Sequence, residues 1–540
     1  MTRVAFIGGG PKCLFALLEL RDRCPDAAAE GLAIDVFDPC PPGAGRVWQE
    51  GQPTALRLNV SAGILDAGPS AGPETFAQWV ARVEPRYRGE RYPPRVVVGR
   101  YLAEQFRHLA GTAAFGLTHV PALVTGVERA GAQWEVFSDA GSGLYDEVVL
   151  ATGHGMALDA PGQPLASARN GGPLIGEYPA LGEEGIPVGS RVLIRGAALT
   201  AYDAVLLLTE GRGGRWTESA GPESGTPWLR YIPGGREPSG ITLASRSTLP
   251  MVPKPDEVPE DIRRCIDGHR QRVLDWGREI ACLPAGTGAA YTGLFRILLS
   301  CALDCAERCG SPVTPLDLWR TALTGRTGEG QGTESAAENI RRSIRANHLQ
   351  APPTAQWLWA RVWSGLYPEV VRAVSRVRWL PAQAKLFHRV SGQLERMAFG
   401  PPEGTALKLL ALFDCGLLDQ GPFPPRPPRD TVLLDAVTPP AGVLDSAAPG
   451  GRAMSPVIAG LLAAGEVLVR EGERGLLTDA DGTCIDANGN RNESLAALGR
   501  PTEGPTLGHD TLNRTLHPEP RSWARRIVRQ RLPQHLGERS

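Results

Sequence analysis

Bare backbone between a short apolar run and a helical repeat is the means by which a protein cradles a diphosphate, and this chain has such a stretch at Gly8-Gly9-Gly10-Pro11-Lys12-Cys13. The glycines allow a tight turn and a close approach to a pyrophosphate. The helix that follows then presents its free amides and partial positive charge to the phosphates. Asp38 lies at the tip of the next apolar run, where an acid accepts hydrogen bonds from a ribose. Cys13 occupies the place of the usual third glycine, the one that permits close helix–strand packing. It is small enough to keep the fold. A glycine turn in some other α/β unit fits these residues as well.

The elements needed to position these residues are legible around them. Val4 to Ile7 reads as a buried parallel strand. Leu14, Phe15, Leu17, Leu18 and Leu20 recur at helical spacing, and Leu32 to Phe37 reads as a second strand. The polar stretch 26–31 is a loop that lengthens the interval from Gly10 to Asp38. Strands are expected at Leu123 to Glu128, Gln133 to Phe137 and Glu147 to Leu150, and a helix from Arg100 through Phe106.

Composition excludes several classes. The chain has 540 residues and a formal net charge of −1, so nothing marks a nucleic-acid-binding surface. No apolar run is long enough to span a membrane, no leader is visible, and the scattered cysteines lack a CxxC pair. These features predict a cytoplasmic protein with reduced thiols. Cys301, Cys305 and Cys309 share one helical face, with no histidine completing a zinc-type spacing, and read as small buried hydrophobes.

The order of motifs carries a resemblance. After the first turn come Pro42-Gly43-Ala44-Gly45-Arg46-Val47-Trp48, then Leu56-Arg57-Leu58-Asn59-Val60, and then Ala151-Thr152-Gly153 at the end of a strand. This order resembles the flavin-containing and N-hydroxylating monooxygenases with two dinucleotide-binding domains. It is most similar to a bacterial group of FAD/NAD(P)-binding proteins that includes aspartate N-hydroxylases forming nitrosuccinate. The resemblance covers most of residues 1–255 and returns near 397–525.

It implies an α/β fold of two Rossmann-like domains, for FAD and NADP, with an added helical domain. FAD would then lie on Gly8, Gly10, Pro11, Lys12, Cys13 and Asp38, along Gly45, Arg46, Val47 and Trp48, and against Thr152 and Gly153. Thr502, Glu503 and Gly504 would close on the flavin ring. Asn59 becomes the candidate catalytic residue, because an amide beside the flavin can donate to oxygen and orient a substrate at once.

A second nucleotide turn is expected at Gly196 to Thr200, with Ala198 in place of the family's central glycine. That methyl group stands where pyrophosphate approaches closely. Ser245 and Arg246 match a pair that meets the 2′-phosphate of NADP, which a guanidinium forks onto bidentately, so NADPH is favoured over NADH.

The domains expected are FAD-binding at 1–165 and 428–528, NAD(P)-binding at 186–252, a helical substrate region at 253–427 and a tail at 529–540. Within them, 432–437 is expected to return to the FAD sheet, 210–240 to be a loop, 325–335 a linker, and the tryptophans of the helical region core. Arg341, Arg342, Arg345 and His348 read as a solvated helix face or as a carboxylate site. No internal repeat is evident. The activity implied is an NADPH-using, FAD-dependent monooxygenase that N-hydroxylates an amino acid or amine with O2. Three alternatives stay open: a flavin oxidoreductase without oxygen transfer, a flavin-binding protein with a decayed nicotinamide site, and an enzyme using one nucleotide. The sequence leaves the oligomeric state undetermined.

Overall fold

The computed structural model describes residues 1–24, 31–65, 74–153, 181–219, 228–284, 287–326, 335–426, 430–438, 441–445 and 452–531. Two parallel sheets organise it. The first is built on β1 (Thr2–Ile7), whose Val4, Ala5 and Phe6 are fully buried. β1 pairs in parallel with β2 (Leu32–Phe37) on one side, and β2 pairs with β3 (Gly116–Val120). On its other side β1 pairs with β4 (Glu147–Leu150), which continues to Arg491–Ala497 and, antiparallel, to Thr483–Ile485. Helix α1 (Pro11–Arg21) leaves the end of β1 with Gly10 as its N-cap and proline in its first turn, where the missing N–H costs nothing.

The second sheet repeats the plan. β5 (Arg191–Arg195) lies between β6 (Gly240–Ala244) and β8 (Thr431–Asp435), and β6 pairs with β7 (Leu418–Gly421), all parallel. The orders β3-β2-β1-β4 and β7-β6-β5-β8 are the same arrangement. Helix α2 (Leu199–Thr209) follows β5 as α1 follows β1. Thus the chain contains a structural repeat that its sequence does not display.

This arrangement corrects the expectation for 432–437: β8 pairs with β5 through Val432↔Val192 and Leu434↔Ile194 and belongs to the second sheet. The reason is that a strand order of this kind needs a fourth strand, and here 173 and 186 residues separate β6 from β7 and from β8 in the sequence. Local pattern alone does not reveal which sheet a short apolar run joins. The stretch 210–240 is also more ordered than expected, since Arg215–Glu218 and Leu229–Ile232 form an antiparallel hairpin. The expected helix at 100–106 begins earlier and spans Arg95–Thr112.

Between β6 and β7 stand seven helices among the described residues, including α3 (Glu260–Ala281) and α4 (Thr292–Arg308). Trp357, Trp359 and Trp363 are fully buried on one of them, and Trp276 stacks on Trp379, so the aromatic residues are core as expected. Trp319 is the departure and stands exposed. Most of the expected linker 325–335 lies outside the described residues.

By internal contacts the chain forms two units. One holds residues 1–52, 61–161 and 439–540, and the other holds 53–60 and 162–438. The first is centred on the β1 sheet. The second combines the β5 sheet with the helices.

Candidate functional site

The turn after β1 is fixed by its neighbours. Gly8 has φ +101°, and a Cβ there would stand 2.4 Å from the Ala151 carbonyl oxygen. Its amide donates to Phe37 O at 2.9 Å, and the Ala151 amide donates to Ile7 O at 2.8 Å. Only a residue without a side chain fits, so β1, β2 and β4 converge on this point. Gly10 differs: its φ is −72°, and a Cβ there would meet nothing within 4 Å. Neither backbone strain nor protein packing demands glycine at that position. The open space lies over the N-terminus of α1, where unpaired amides face outward.

Several expected site residues gather around this space. Gly45 packs on the turn, since a Cβ on it would stand 2.9 Å from Gly10 Cα, and the Gly43 amide donates to Gly9 O at 2.6 Å. Arg46, Val47 and Trp48 follow, half-buried, and the Val47 carbonyl accepts from Gln52 Nε2. Cys13 is fully buried in α1 and serves packing. Thr152 follows Ala151, and its hydroxyl is buried with no hydrogen-bond partner, while Gly153 takes a left-handed conformation. An orphaned hydroxyl beside a bare glycine turn is the feature a bound dinucleotide would satisfy.

Asp38 is engaged already. One carboxylate oxygen accepts from the Gly9 amide at 2.7 Å and the other from the Cys40 amide at 2.8 Å. Burial pushes its carboxyl above the ordinary value, against the pull of those two amides. An oxygen that braces the turn retains a further lone pair for a ribose.

The C-terminal segment reaches the same turn through Lys12. Gly499 has φ +83°, and a Cβ on it would lie 2.8 Å from Lys12 Cγ. Burial lowers the Lys12 ammonium to about 8, against the carboxylates of Glu519, Asp510 and Glu503. Thr502 is buried, and its hydroxyl contacts Gly499 O at 2.9 Å, Thr506 Oγ1 at 3.0 Å and His509 Nε2 at 3.1 Å. Glu503 pairs with Arg500 at 2.9 Å, and burial raises its carboxyl. Gly504 packs 3.0 Å from Gly475 N, measured from the Cβ it lacks. Residues 502–504 therefore shape a rigid segment whose side chains bond internally. The histidine pair behind it, His509 stacked on His517 at 3.9 Å, gave no signal in the sequence.

The second turn reproduces the first. Gly196 has φ +120°, its amide donates to Ala244 O at 2.8 Å, and the Ala436 amide donates to Arg195 O at 2.8 Å. Ala198 is the N-cap of α2, as Gly10 is of α1, with φ −121°. An L-residue adopts that conformation without strain, so the methyl group bears only on how closely a ligand approaches. Thr200 Oγ1 lies 3.4 Å from Thr438 Oγ1. Ser245 follows β6 where Asp38 follows β2, and Arg246 beside it is exposed. Arg326, which sequence reasoning missed, donates to Ser247 O at 3.5 Å and adds a second cation near this strand end.

Asn59 lies in the segment 53–60, which belongs to the second unit, and Lys254 Nζ donates to its carbonyl oxygen. Two members of the basic cluster of the helical region pair with acids of this chain. Arg341 pairs with Asp414, and His348 Nε2 contacts Glu403 Oε1 at 2.6 Å.

Residues 5–155 match a family model described as FAD-NAD(P)-binding. An L-aspartate N-monooxygenase (nitrosuccinate-forming) of Streptomyces cremeus is 28% identical over 81% of this chain and 80% of its own length. The nitrosuccinic acid synthase of Aspergillus oryzae is 30% identical over 50% of this chain, which spans about half (46%) of that relative's length. Among solved structures, the ornithine N-hydroxylase of Kutzneria sp. 744 is similar over 97% of this chain and 98% of its own, with 13% identity and a TM-score of 0.45. The bare turn, the brace from Asp38 and the orphaned Thr152 hydroxyl all lie within residues 5–155, the segment that matches the FAD-NAD(P)-binding family model.

Proposed function

We propose that this chain is an FAD-dependent, NADPH-using monooxygenase that N-hydroxylates an amino acid, with L-aspartate or a close dicarboxylic relative as substrate. The observation that carries this reading is the match to the Streptomyces cremeus L-aspartate N-monooxygenase over four-fifths of both chains, joined to two matching nucleotide turns. When bound, FAD supplies oxygen activation and NADPH the reducing equivalents, and the protein supplies binding, orientation and exclusion of water.

In this reading the α1 amides and Lys12 hold the FAD diphosphate, Thr152 satisfies its buried hydroxyl on the cofactor, and Asp38 takes the ribose. Residues 499–504 form a fixed wall held by Thr502. Asn59 orients the substrate amine. Ser245 and Arg246 take the 2′-phosphate of NADP, an uncharged and a cationic residue where the FAD turn has an acid. The helices between β6 and β7 set substrate identity. The FAD part comprises 1–165 and a C-terminal portion, with β8 assigned to the nicotinamide part. No helix among the described residues is long and apolar enough to cross a membrane.

The test is NADPH oxidation by the yellow, purified protein with L-aspartate under labelled O2. The reading requires labelled oxygen on the product nitrogen. NADPH consumption that yields only hydrogen peroxide with every amino acid offered would overturn it.

Ala198 at the N-cap where the first turn has Gly10 favours a second reading, a flavoprotein without a competent nicotinamide site. Anaerobic bleaching of the flavin by NADPH excludes that reading.

A further inference from the structure

On the helical face of the second unit, two turns of α3 and one of α4 bring together three donors that no part of the flavin chemistry uses. Cys265 and His269 are four residues apart on α3, so both side chains leave the same face, and Asp304 reaches them from α4. One donor atom from each lies within 4.8 Å of the other two. They line a cleft of about 590 Å³, with Arg264, Glu307 and Arg308 at its edge. Cys265 and His269 are buried, and Asp304 is half exposed.

The hydrogen bonding of His269 fixes what the cluster needs. Its Nδ1 lies 3.1 Å from the Cys265 carbonyl oxygen, which only accepts, so Nδ1 carries the proton. Nε2 is then bare in the neutral ring. It is buried, makes no hydrogen bond, and faces Asp304 Oδ2 at 3.2 Å. A bare, buried imidazole nitrogen beside a carboxylate oxygen is unfavourable unless a positive charge is shared between them. A proton on Nε2 would serve the carboxylate alone, but the sulfur of Cys265 completes a set that a proton does not use. A metal-ligating imidazole typically has its other nitrogen donating to a backbone carbonyl, as here.

We propose that Cys265, His269 and Asp304 bind a divalent cation of the zinc class. Sulfur, nitrogen and oxygen donors together suit a borderline-soft ion, and three protein ligands beside a cleft leave a fourth position open to solvent. On binding, the metal–sulfur bond replaces the S–H bond of Cys265, and the proton leaves to solvent. Thiolate and carboxylate then balance the two positive charges of the ion. Binding therefore tightens as pH rises.

The test uses flavin-loaded protein dialysed against a chelator and titrated with Co2+. The expected result is the set of bands given by tetrahedral cobalt with a thiolate ligand, to the red of the flavin, saturating at one ion per chain and bleached by Zn2+. Cys265→Ala abolishes the charge-transfer band, and Asp304→Asn weakens Co2+ binding by roughly tenfold or more. Asp304 is half exposed, so the second variant keeps the fold, and an unchanged flavin spectrum checks both. Absence of the bands from the unsubstituted protein, or bands unaltered in both variants, overturns the proposal.

Discussion

The stem of Lys12 runs across the face of Gly499, with Lys12 Cγ 2.8 Å from the place where a Cβ would be. This contact couples the diphosphate turn to the C-terminal segment, and its tightness is testable. Gly499→Ala adds a methyl group against that stem and forces an L-residue into a positive φ, at a cost of about 1–3 kcal/mol. We expect lower thermal stability and roughly tenfold weaker FAD retention, read from the flavin released on gel filtration. Full flavin occupancy and an unchanged melting temperature would show that the contact is loose.

The two glycines of the first turn should respond differently. Gly8→Ala drives a Cβ into the Ala151 carbonyl and should destabilise the folded chain whether or not flavin is present. Gly10→Ala adds a Cβ that meets nothing within 4 Å in the protein, so the apoprotein should melt where the unsubstituted apoprotein does, yet bind flavin far more weakly. Thermal melts of both variants with and without added FAD separate these outcomes. Normal flavin binding by the Gly10 variant would mean that the open space is not the cofactor's.

Acid stability should depend on His517. Burial, and next the charge of Lys12, lower its imidazole from 6.5 to about 4, while Nε2 donates to Leu507 O at 2.9 Å. The unfolded chain takes up a proton near pH 6.5 and the folded chain does not. Stability is therefore intact above pH 6.5 and declines as pH falls toward 4, by at most about 3 kcal/mol. His517→Gln should flatten the melting temperature across that window. An equally steep decline in the variant would assign the effect to other groups.

Cofactor choice should turn on Arg246. Removing a charge-assisted contact to a 2′-phosphate costs about 1.5–3 kcal/mol, so Arg246→Ala should raise KM for NADPH roughly tenfold to a hundredfold. KM for NADH should change little. Equal effects on both cofactors would place Arg246 away from the 2′-phosphate and leave Arg326 as the cation to test.

The buried pair Arg526–Glu147 anchors the last described helix, Glu519–Arg531, to the first sheet. Arg526 NH2 lies 2.5 Å from Glu147 Oε1, Trp523 Nε1 donates to the same oxygen at 2.9 Å, and Glu147 is fully buried. Arg526→Met leaves an uncompensated carboxylate in the core, and a loss of about 3–5 kcal/mol is expected in denaturant melts. A loss under ~1 kcal/mol would mean that water reaches the pair.

By itself the sequence determined the elements whose signal is local. The β1–Gly8–α1 turn, the β5–Gly196–α2 turn and the helical region between β6 and β7 were all legible, because apolar period and glycine placement act within a few residues. Tertiary structure decided what depends on partners far apart in the chain. It gave β8 to the second sheet, because strand pairing joins Leu434 to Ile194 across 240 residues. It turned the oxygens of Asp38 onto the Gly9 and Cys40 amides, and it left the Thr152 hydroxyl without a partner. It also set Cys265 and His269 of α3 against Asp304 of α4, whereas the sequence reading had weighed only Cys301, Cys305 and Cys309. Hydrogen bonds and charges act over a few ångströms of space, and spacing along one chain does not encode which distant residues will share them.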